Sequence, residues 1–348
     1  MGTGVNEQVV LRAHPRGAPR ESDFACVRSP VPRPADGQFL IRNLYLSLDA
    51  GFRQWMNEGA GDGYLPAMEL NQPVMGLVLG EVVESRHPDF SPGDLVMGRT
   101  RWETYSLADG TDYMTKLAAD PDIPVSYYLG VLGPTGLTAY FGMRDIGRPK
   151  QGETVLVSTA AGAVGSVAAQ IARIRGGRVI GLTSSDEKCR WLVERLGLDG
   201  AIDYRAPEGL EAGLARHCGE GIDVYFDNVG GATLDTVLAH LRPGARVVMC
   251  GALASYNEAK PLPGPYNMFK IITQRALLQG FMVTDYVGEY PAAIQELTGW
   301  IKEGRLQGAE EIVEGIAQTG PAFCRMFAGG NRGKLVVRVA AARAPAGA

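Results

Sequence analysis

The stretch Thr154–Arg173, which reads TVLVSTAAGAVGSVAAQIAR, constrains the fold of this chain more than any other. Residues 154–158 form a short apolar, β-branched run of the kind that makes a buried parallel strand. Small residues follow at 159–165, and apolar residues then recur at helical spacing through Ile174. A strand, a turn of small residues and a helix predict a cradle for a pyrophosphate, which the N–H groups of the helix N-terminus would bind.

The glycine pattern of this turn departs from the usual G-x-G-x-x-G, because Ala160 occupies the first glycine position ahead of Gly162 and Gly165. A tight turn before a packed helix would use the same residues. The turn alone therefore leaves both interpretations open, and the residues that follow must decide between them.

The next predicted strand, Arg178–Thr183, bears on the choice of cofactor. NAD-binding units normally carry an acidic residue about 20 residues past the glycines, where it holds the ribose 2′-hydroxyl. Here that place is taken by residues 183–185, Thr-Ser-Ser, with Lys188 just beyond. A lysine suits a 2′-phosphate, so the sequence predicts NADPH as cofactor rather than NADH.

Two acidic residues, Asp186 and Glu187, are the rival candidates for the ribose. However, Ser184 and Glu187 have the spacing of a capping box at the start of a helix. That helix would carry Trp191, Leu192 and Leu196. We therefore interpret the two acids as helix-start residues.

The composition bounds the class of protein. A length of 348 residues predicts about two domains, and 45% hydrophobic with 21% charged residues is ordinary for a soluble globular protein. The net charge of −4 gives no long-range attraction to nucleic acid or to an anionic membrane. We find no signal peptide layout and no apolar run of about 20 residues. The expected partner is a small molecule, and neither nucleic acid nor membrane.

The cysteines and histidines indicate the compartment. Four histidines and five cysteines are scattered, and no two cysteines form a C-x-x-C pair. This pattern favours reduced thiols in a cytoplasmic protein over a disulfide framework. The cysteines are Cys26, Cys189, Cys218, Cys250 and Cys324.

The first 125 residues are rich in proline and glycine and predict a small, irregular β-barrel. The expected strands are Gln8–Arg12, Phe39–Leu46, Val74–Glu84 and Asp94–Gly98. A last predicted strand, Lys334–Val339, follows the middle of the chain. We therefore expect the C-terminus to complete the N-terminal barrel.

The middle of the chain alternates strands with helices, which predicts a parallel sheet covered on both faces. Helices are predicted at Tyr127–Leu132, Gly136–Arg144 and Ile294–Ile301, and a further one by the spacing of Leu234, Val237, Leu238 and Leu241. The expected strands are Thr154–Ser158, Arg178–Thr183, Ala201–Tyr204, Val224–Asn228, Arg246–Cys250 and Leu277–Met282. The domain boundaries expected from these patterns are 1–125 plus 306–348 for the β-rich domain and 126–305 for the α/β domain.

Several separate motifs, in order, carry a resemblance that covers nearly the whole chain. They are Arg42-Asn-Leu-Tyr-Leu-Ser-Leu-Asp49, Gly133-Pro-Thr-Gly-Leu-Thr-Ala-Tyr140, Ala161-Gly-Ala-Val-Gly165, Ser185-Asp-Glu-Lys188, Tyr225-Phe-Asp-Asn-Val-Gly230, Cys250-Gly-Ala and Ser255-Tyr-Asn257. The chain resembles the zinc-independent double-bond reductases of the medium-chain dehydrogenase/reductase superfamily, a branch that includes prostaglandin, plant alkenal and bacterial curcumin reductases. The resemblance implies a Rossmann-type, doubly wound α/β domain inserted in a GroES-like β-barrel domain.

The zinc-dependent alcohol dehydrogenases share this architecture, so we tested the sequence for metal ligands. Their G-H-E segment is replaced here by residues 75–81, Met-Gly-Leu-Val-Leu-Gly-Glu, which contain no histidine. No cysteine lies between Cys26 and Cys189, so neither a catalytic nor a four-thiolate structural zinc site can be assembled. The sequence therefore predicts no metal.

The resemblance also implies the residues that bind the cofactor, from the pyrophosphate turn, the 2′-phosphate pair and the strand ends. They are Gly162, Ala163, Val164, Gly165, Lys188, Tyr204, Asn228, Cys250, Gly251, Ala252, Ser255, Tyr256, Phe281, Met282, Val283 and Asn331. Tyr256 is the one candidate for catalysis, because in the family a tyrosine here lies against the substrate carbonyl. A pocket-wall role without chemistry is the alternative.

The implied activity is NADPH-dependent reduction of the carbon–carbon double bond of α,β-unsaturated ketones or aldehydes. A quinone reductase of the same superfamily and a non-catalytic NADPH-binding protein remain alternatives. The resemblance also implies a homodimer that forms at the edge strand Leu277–Val283. One departure concerns substrate: relatives usually read Asp-Pro-Tyr-Met-Arg where this chain reads Asp49-Ala-Gly-Phe-Arg53, so Gly51 replaces a tyrosine.

Overall fold

The computed structural model describes residues 4–258 and 260–340. They form two units. The N-terminal unit comprises residues 4–129, 311–331 and 335–340, and the nucleotide unit comprises residues 130–310 and 332–334. None of the helices within these described residues is long and apolar enough to cross a membrane.

Fifteen strands and eight α-helices make up the described chain. The strands are β1 (Val5–Leu11), β2 (Phe24–Pro30), β3 (Phe39–Ser47), β4 (Met75–Ser85), β5 (Leu95–Arg101), β6 (Tyr105–Ala108), β7 (Met114–Lys116), β8 (Thr154–Val157), β9 (Arg178–Thr183), β10 (Gly200–Asp203), β11 (Ile222–Asp227), β12 (Leu241–Met249), β13 (Leu277–Gly280), β14 (Glu310–Glu314) and β15 (Lys334–Arg338). The α-helices are α1 (Pro134–Phe141), α2 (Ala163–Ile174), α3 (Asp186–Glu194), α4 (Gly209–His217), α5 (Gly231–Leu238), α6 (Phe269–Gln274), α7 (Tyr290–Lys302) and α8 (Thr319–Phe327).

The N-terminal unit is built on antiparallel strands. A seven-stranded sheet has the order β14-β15-β3-β4-β5-β7, with β6 also paired to β3, and β1 and β2 form a separate pair. A buried aromatic cluster supports the sheet, because the Trp102 ring lies 5.8 Å from that of Phe24 and 5.2 Å from that of Phe323. The last strand, β15, pairs with β3 through Val336 and Ser47, which confirms that the C-terminus completes the N-terminal sheet.

The sheet of the nucleotide unit is parallel throughout, with the order β10-β9-β8-β11-β12-β13. Numbered within the unit this is 3-2-1-4-5-6, the order of doubly wound dinucleotide-binding sheets. The predicted Rossmann-type class is therefore confirmed. The strand order reverses between β8 and β11, and ligands of such sheets bind beside that switch point, at the carboxyl ends of the strands.

Four local predictions were wrong. The helix predicted at Tyr127–Leu132 is a 3₁₀ helix that spans Val125–Leu129. Leu241 starts β12, opposite Ile222, and does not belong to the preceding helix; that helix stops at Leu238, and the His240 N–H closes a turn on the carbonyl of Val237 at 2.9 Å. Ser184 does not cap α3. Ser185 does, because the helix begins one residue later than the capping-box register requires. The same helix ends at Glu194, so Leu196 is a buried residue beyond it.

Candidate active site

The carboxyl ends of all six parallel strands carry residues that the sequence singled out. Because the strands are parallel, their ends meet at one edge of the sheet. In chain order these residues are Gly162–Gly165 after β8, Lys188 after β9, Tyr204 after β10, Asn228 after β11, Cys250–Tyr256 after β12 and Phe281–Val283 after β13. The remaining candidate, Asn331, belongs to the N-terminal unit.

The turn between β8 and α2 can admit a pyrophosphate. The helix starts at Gly162 without a side-chain cap, so side chains leave its first N–H groups to other acceptors. A Cβ atom at Gly165 would lie 2.2 Å from the carbonyl oxygen of Thr159, so only glycine allows the turn to fold this closely on the helix. Thr159 takes a left-handed conformation, with φ of 51°, at a cost of about 1 kcal/mol or more.

This geometry explains why alanine is accepted at the first glycine position. Ala160 has no positive φ, and its N–H donates to the carbonyl of Leu182 at 2.9 Å. The strained backbone lies one residue earlier, at Thr159. The missing glycine of the usual pattern is therefore no obstacle to a dinucleotide-binding turn here.

The predicted 2′-phosphate pair occupies the ends of two neighbouring strands, β9 and β10. The hydroxyl of Ser185 caps α3 by accepting a hydrogen bond from the Lys188 N–H at 3.3 Å, which places Lys188 in the first turn. Tyr204 follows β10, and its N–H donates to the carbonyl of Thr183 at 3.1 Å. The Tyr204 side chain is 43% exposed, so its hydroxyl can meet a ligand from solvent.

Both acidic residues of the first α3 turn have arginine partners. Asp186 pairs with Arg190 at 2.8 Å, and Glu187 pairs with Arg332 at 3.4 Å. This supports our interpretation of them as helix-start residues, since two neutralised carboxylates repel a nearby phosphate less than free ones would.

A buried carboxylate organises the end of β11. Asp227 is fully buried and accepts hydrogen bonds from the Tyr225 hydroxyl at 2.8 Å and from the N–H groups of Val229 and Gly230 at 2.9 and 3.0 Å. Burial raises the pKa of Asp227, and these hydrogen bonds oppose the rise. The network fixes the turn that carries Asn228.

Asn228 is tied to β8 as well. Its N–H donates to the Ser158 hydroxyl at 2.8 Å, and its side-chain amide donates to the Ser158 carbonyl at 2.7 Å. The loop after β11 is thereby held against the strand that leads into the pyrophosphate turn. The sequence patterns did not identify Ser158 and Asp227 as positioning residues. A polar residue directly after an apolar run is the signal that could have revealed each.

The segment after β12 carries the catalytic candidate. Residues 253–255 form a 3₁₀ turn, and the Tyr256 hydroxyl folds back to accept a hydrogen bond of 3.3 Å from the Ala252 N–H. A Cβ atom at Gly251 would lie 3.3 Å from that hydroxyl, so Tyr256 lies directly over Gly251. Burial raises the pKa of Tyr256, which keeps the phenol protonated at neutral pH.

Cys250, at the start of this segment, has the properties of a packing residue. Burial, together with the nearby Asp227 charge, raises the pKa of its thiol to about 12. Almost no thiolate forms at neutral pH, so Cys250 is a poor nucleophile. Its N–H donates to the Asp227 carbonyl at 2.9 Å, which ties the ends of β11 and β12 together.

The end of β13 supplies the last group of candidates. The ring of Phe281 packs against Gly142, where an added Cβ would lie 2.9 Å from it. Met282 is 43% exposed, and the carbonyl of Val283 accepts a hydrogen bond of 3.0 Å from the Tyr290 hydroxyl.

Two further features concern metal and substrate. Among the described residues, no group of three or more His, Cys, Asp or Glu side chains is arranged to hold a metal ion. In the N-terminal unit, Gly51 lies in a 3₁₀ helix, Ala50–Met56, and an added Cβ there would meet no atom within 4 Å. The space beside Gly51 is therefore open to an added Cβ atom.

Comparisons with known proteins identify the family. Residues 7–116 match the family described as the N-terminal domain of oxidoreductases, and residues 163–299 match the family described as zinc-binding dehydrogenases. The chain is 41% identical to a putative NADP-dependent oxidoreductase, YfmJ, of Bacillus subtilis, over 97% of this chain and 98% of that protein. It is 39% identical to an NADPH-dependent curcumin reductase of Escherichia coli, over 96% and 97% of the two chains.

A plant relative and a solved structure extend the comparison. A 2-alkenal reductase (NADP⁺-dependent) of Nicotiana tabacum is 38% identical over 96% of this chain and 97% of its own. The crystal structure of CurA from Vibrio vulnificus in complex with NADPH superposes with a TM-score of 0.89 at 37% identity, covering 97% of this chain and all of that one. The chain belongs to the double-bond reductase branch of the medium-chain dehydrogenase/reductase superfamily.

Proposed function

We propose that this protein uses NADPH to reduce the carbon–carbon double bond of α,β-unsaturated ketones and aldehydes. The observation that carries the proposal is the placement of the Tyr256 hydroxyl at the carboxyl edge of the sheet. This hydroxyl accepts a hydrogen bond from Ala252 and keeps its own proton available for a substrate oxygen.

The pyrophosphate of the cofactor would bind at the small-residue turn and the α2 N-terminus. Its 2′-phosphate would bind at the Lys188–Tyr204 pair. The segment Cys250–Tyr256 and Asn228 would lie along its nicotinamide half. The chemistry that NADPH supplies when bound is a hydride, which goes to the β-carbon of the substrate.

The contribution of this chain is to stabilise the charge that then develops on the substrate oxygen. As hydride reaches the β-carbon, the electron pair of the double bond moves toward the carbonyl and gives an enolate. A protonated Tyr256 donates a hydrogen bond to that oxygen, where such a donor is most useful. A proton from solvent at the α-carbon completes the saturated product. No Lewis acid is required, because conjugation delocalises the charge.

The relatives support this substrate class over quinones. Names of relatives at 36–41% identity include reductases of curcumin, 2-alkenals and pulegone. A quinone oxidoreductase structure that also superposes is 22% identical and shows the shared fold alone.

The test is NADPH oxidation by the purified protein with a panel of enones, 2-alkenals, quinones and saturated ketones, with product identification. Cofactor carrying deuterium at the transferred position should label the β-carbon of a reduced enone, and a chelator should leave the rate unchanged. Turnover of quinones alone, or cofactor binding with no turnover of any enone or alkenal, would overturn the proposal.

We also propose a cytoplasmic homodimer. The five cysteines are all free thiols, which suits a reducing compartment. Among the strands of the described residues, β13 pairs with β12 alone and therefore lies at an edge of the sheet. Exposed apolar side chains lie on and beside it, including Leu277 at 39%, Ile272 at 69% and Phe269 at 70% exposure. An edge strand flanked by such a patch favours pairing with a second copy.

A further inference from the structure

Arg332 forms an ion pair that the predicted cofactor residues do not account for. Within the nucleotide unit its guanidinium pairs with Glu187 at 3.4 Å, and Glu187 is the residue before Lys188. The two partners are 50% and 69% exposed. Arg332 therefore lies beside the first turn of α3, where the 2′-phosphate is expected.

The backbone that follows Arg332 is held by two hydrogen bonds. The Gly333 N–H donates to the Ala161 carbonyl at 2.8 Å, and the Lys334 N–H donates to the Ala309 carbonyl at 2.7 Å. Gly333 has a φ of 66°, and a Cβ atom there would lie 2.1 Å from the Ala309 carbonyl oxygen, so only glycine fits. The segment is thereby bound to the pyrophosphate turn itself, while the Arg332 side chain is half exposed.

We propose that Arg332 is a further ligand of the 2′-phosphate of NADPH and changes partner when the cofactor binds. In the free protein the guanidinium pairs with Glu187; in the complex it turns to the phosphate beside Lys188. This rests on the proposed cofactor site and adds a specificity-determining residue to it.

The exchange is favourable for two reasons. An exposed, singly bonded ion pair contributes little stability, so little is lost when Arg332 leaves Glu187. A phosphate dianion offers charge-assisted, two-pronged hydrogen bonding, to which the planar guanidinium is matched. Glu187 then lies free near the phosphate, but because it is 69% exposed, solvent and salt screen the repulsion between the two.

The experiment measures binding of 2′,5′-ADP and of 5′-AMP by calorimetry, because the two probes differ only in the 2′-phosphate and require no turnover. Arg332→Ala should weaken binding of 2′,5′-ADP by about tenfold, the loss of one charge-assisted contact, and leave binding of 5′-AMP unchanged. The matched control is Arg305→Ala, which removes an arginine from a similar exposed pair with Glu303 and should change neither.

The Glu187→Gln background distinguishes phosphate binding from a simpler role, in which Arg332 only neutralises Glu187. If Arg332 binds the phosphate, Arg332→Ala still costs about tenfold in that background. If it only screens the carboxylate, the loss disappears, and the proposal is overturned. Equal losses for both probes, or none, would overturn it as well.

The proposed activity and the proposed role of Arg332 can be refuted separately. A protein that binds 2′,5′-ADP through Arg332 but reduces no enone would refute the activity alone. One that reduces enones while Arg332→Ala binds 2′,5′-ADP normally would refute only the role of Arg332.

Discussion

The phenolic oxygen of Tyr256 accepts a hydrogen bond from the backbone N–H of Ala252, four residues earlier in the same loop. This contact fixes the direction in which the phenol proton can be donated. A pocket-wall tyrosine would need only the ring, so the hydroxyl itself is what separates a chemical from a packing role.

Tyr256→Phe keeps the ring and deletes the hydroxyl. We expect the turnover number to fall by about ten- to a thousandfold, as for the loss of one oxyanion donor, with NADPH affinity unchanged. Single-turnover hydride transfer with one activated enone is the measurement. Tyr266→Phe, which deletes the same group from a ring that is 85% exposed, is the control. Equal single-turnover rates in wild type and Tyr256→Phe would leave Tyr256 as a wall of the pocket.

The pH dependence of the activity follows from the direction in which the pKa of Tyr256 is shifted. The active form is the protonated phenol, and burial raises its pKa above the ordinary value near 10. Any loss of activity that belongs to this group should therefore begin above about pH 10. A decline with a midpoint near pH 8 that is absent from Tyr256→Phe would contradict this.

Lys188→Ala tests the cofactor preference. Only NADPH carries the 2′-phosphate, so its affinity should fall by about ten- to a hundredfold while that of NADH changes little. Fluorescence titration with both cofactors measures the two affinities. A loss of the same size for NADPH and NADH would show that the phosphate site lies elsewhere.

Asp227→Ala tests the buried network at the end of β11. Four donors, from Ser158, Tyr225, Val229 and Gly230, would lose an acceptor. The free energy of unfolding should therefore drop by about 2–4 kcal/mol. Tyr225→Phe removes one donor only and should cost about 1 kcal/mol. Urea denaturation measures both. A change below about 0.5 kcal/mol for Asp227→Ala, as for an ordinary surface substitution, would refute the structural role.

The raised pKa of Asp227 adds a pH signature to that comparison. The folded state holds the proton more tightly than the unfolded chain does. The resulting stability is present below the ordinary aspartate value, near 4, and is lost as the pH rises through the folded-state pKa. Asp227→Ala should lack this part of the pH dependence.

Leu277→Lys tests the proposed dimer edge. A charge on an edge strand opposes pairing with another copy, so light scattering should report monomers. Val193→Lys is the matched control, because Val193 on α3 is 40% exposed and Leu277 is 39% exposed. Wild type that is monomeric at micromolar concentration, or a dimer that survives Leu277→Lys, would count against this edge.

Gly51→Tyr tests the departure from the relatives. No atom lies within 4 Å of an added Cβ, and the backbone has no positive φ, so the variant should fold normally. We expect KM for bulky enones to rise several-fold while small 2-alkenals are little affected, because a phenol ring would fill open space. Unchanged KM values across substrate sizes would place Gly51 away from the substrate.

Local patterns were enough to predict the sheet and its ligand edge. The apolar run at 154–158 and the helical spacing after it identify β8 and α2 nearly to the residue. Once the strands are known to be parallel, every strand-end candidate must come to one edge. Both inferences depend on short-range periodicity, which a single sequence displays directly.

Features that depend on contacts across the chain could not be predicted in this way. The Arg332–Glu187 pair joins residues from separate parts of the sequence, and the local sequence around either residue does not predict the other. The cap of α3 differed by one residue, because two adjacent serines offer nearly equal hydroxyl groups. At Thr159 the surroundings impose a left-handed backbone that residue preference alone would assign to glycine.

The pairing of β15 with β3 has a consequence for how the protein is made. Ser47 leaves the ribosome well before its partner Val336, which is synthesised after the entire nucleotide unit. At ordinary elongation rates the interval is on the order of tens of seconds. During that time residues 45–47 of β3 lack their partner strand β15, and their hydrogen-bonding groups on that side are open to other chains. The nascent N-terminal unit is therefore the part of this protein that most needs a chaperone, and truncation before β15 should direct it to aggregation rather than to a smaller folded product.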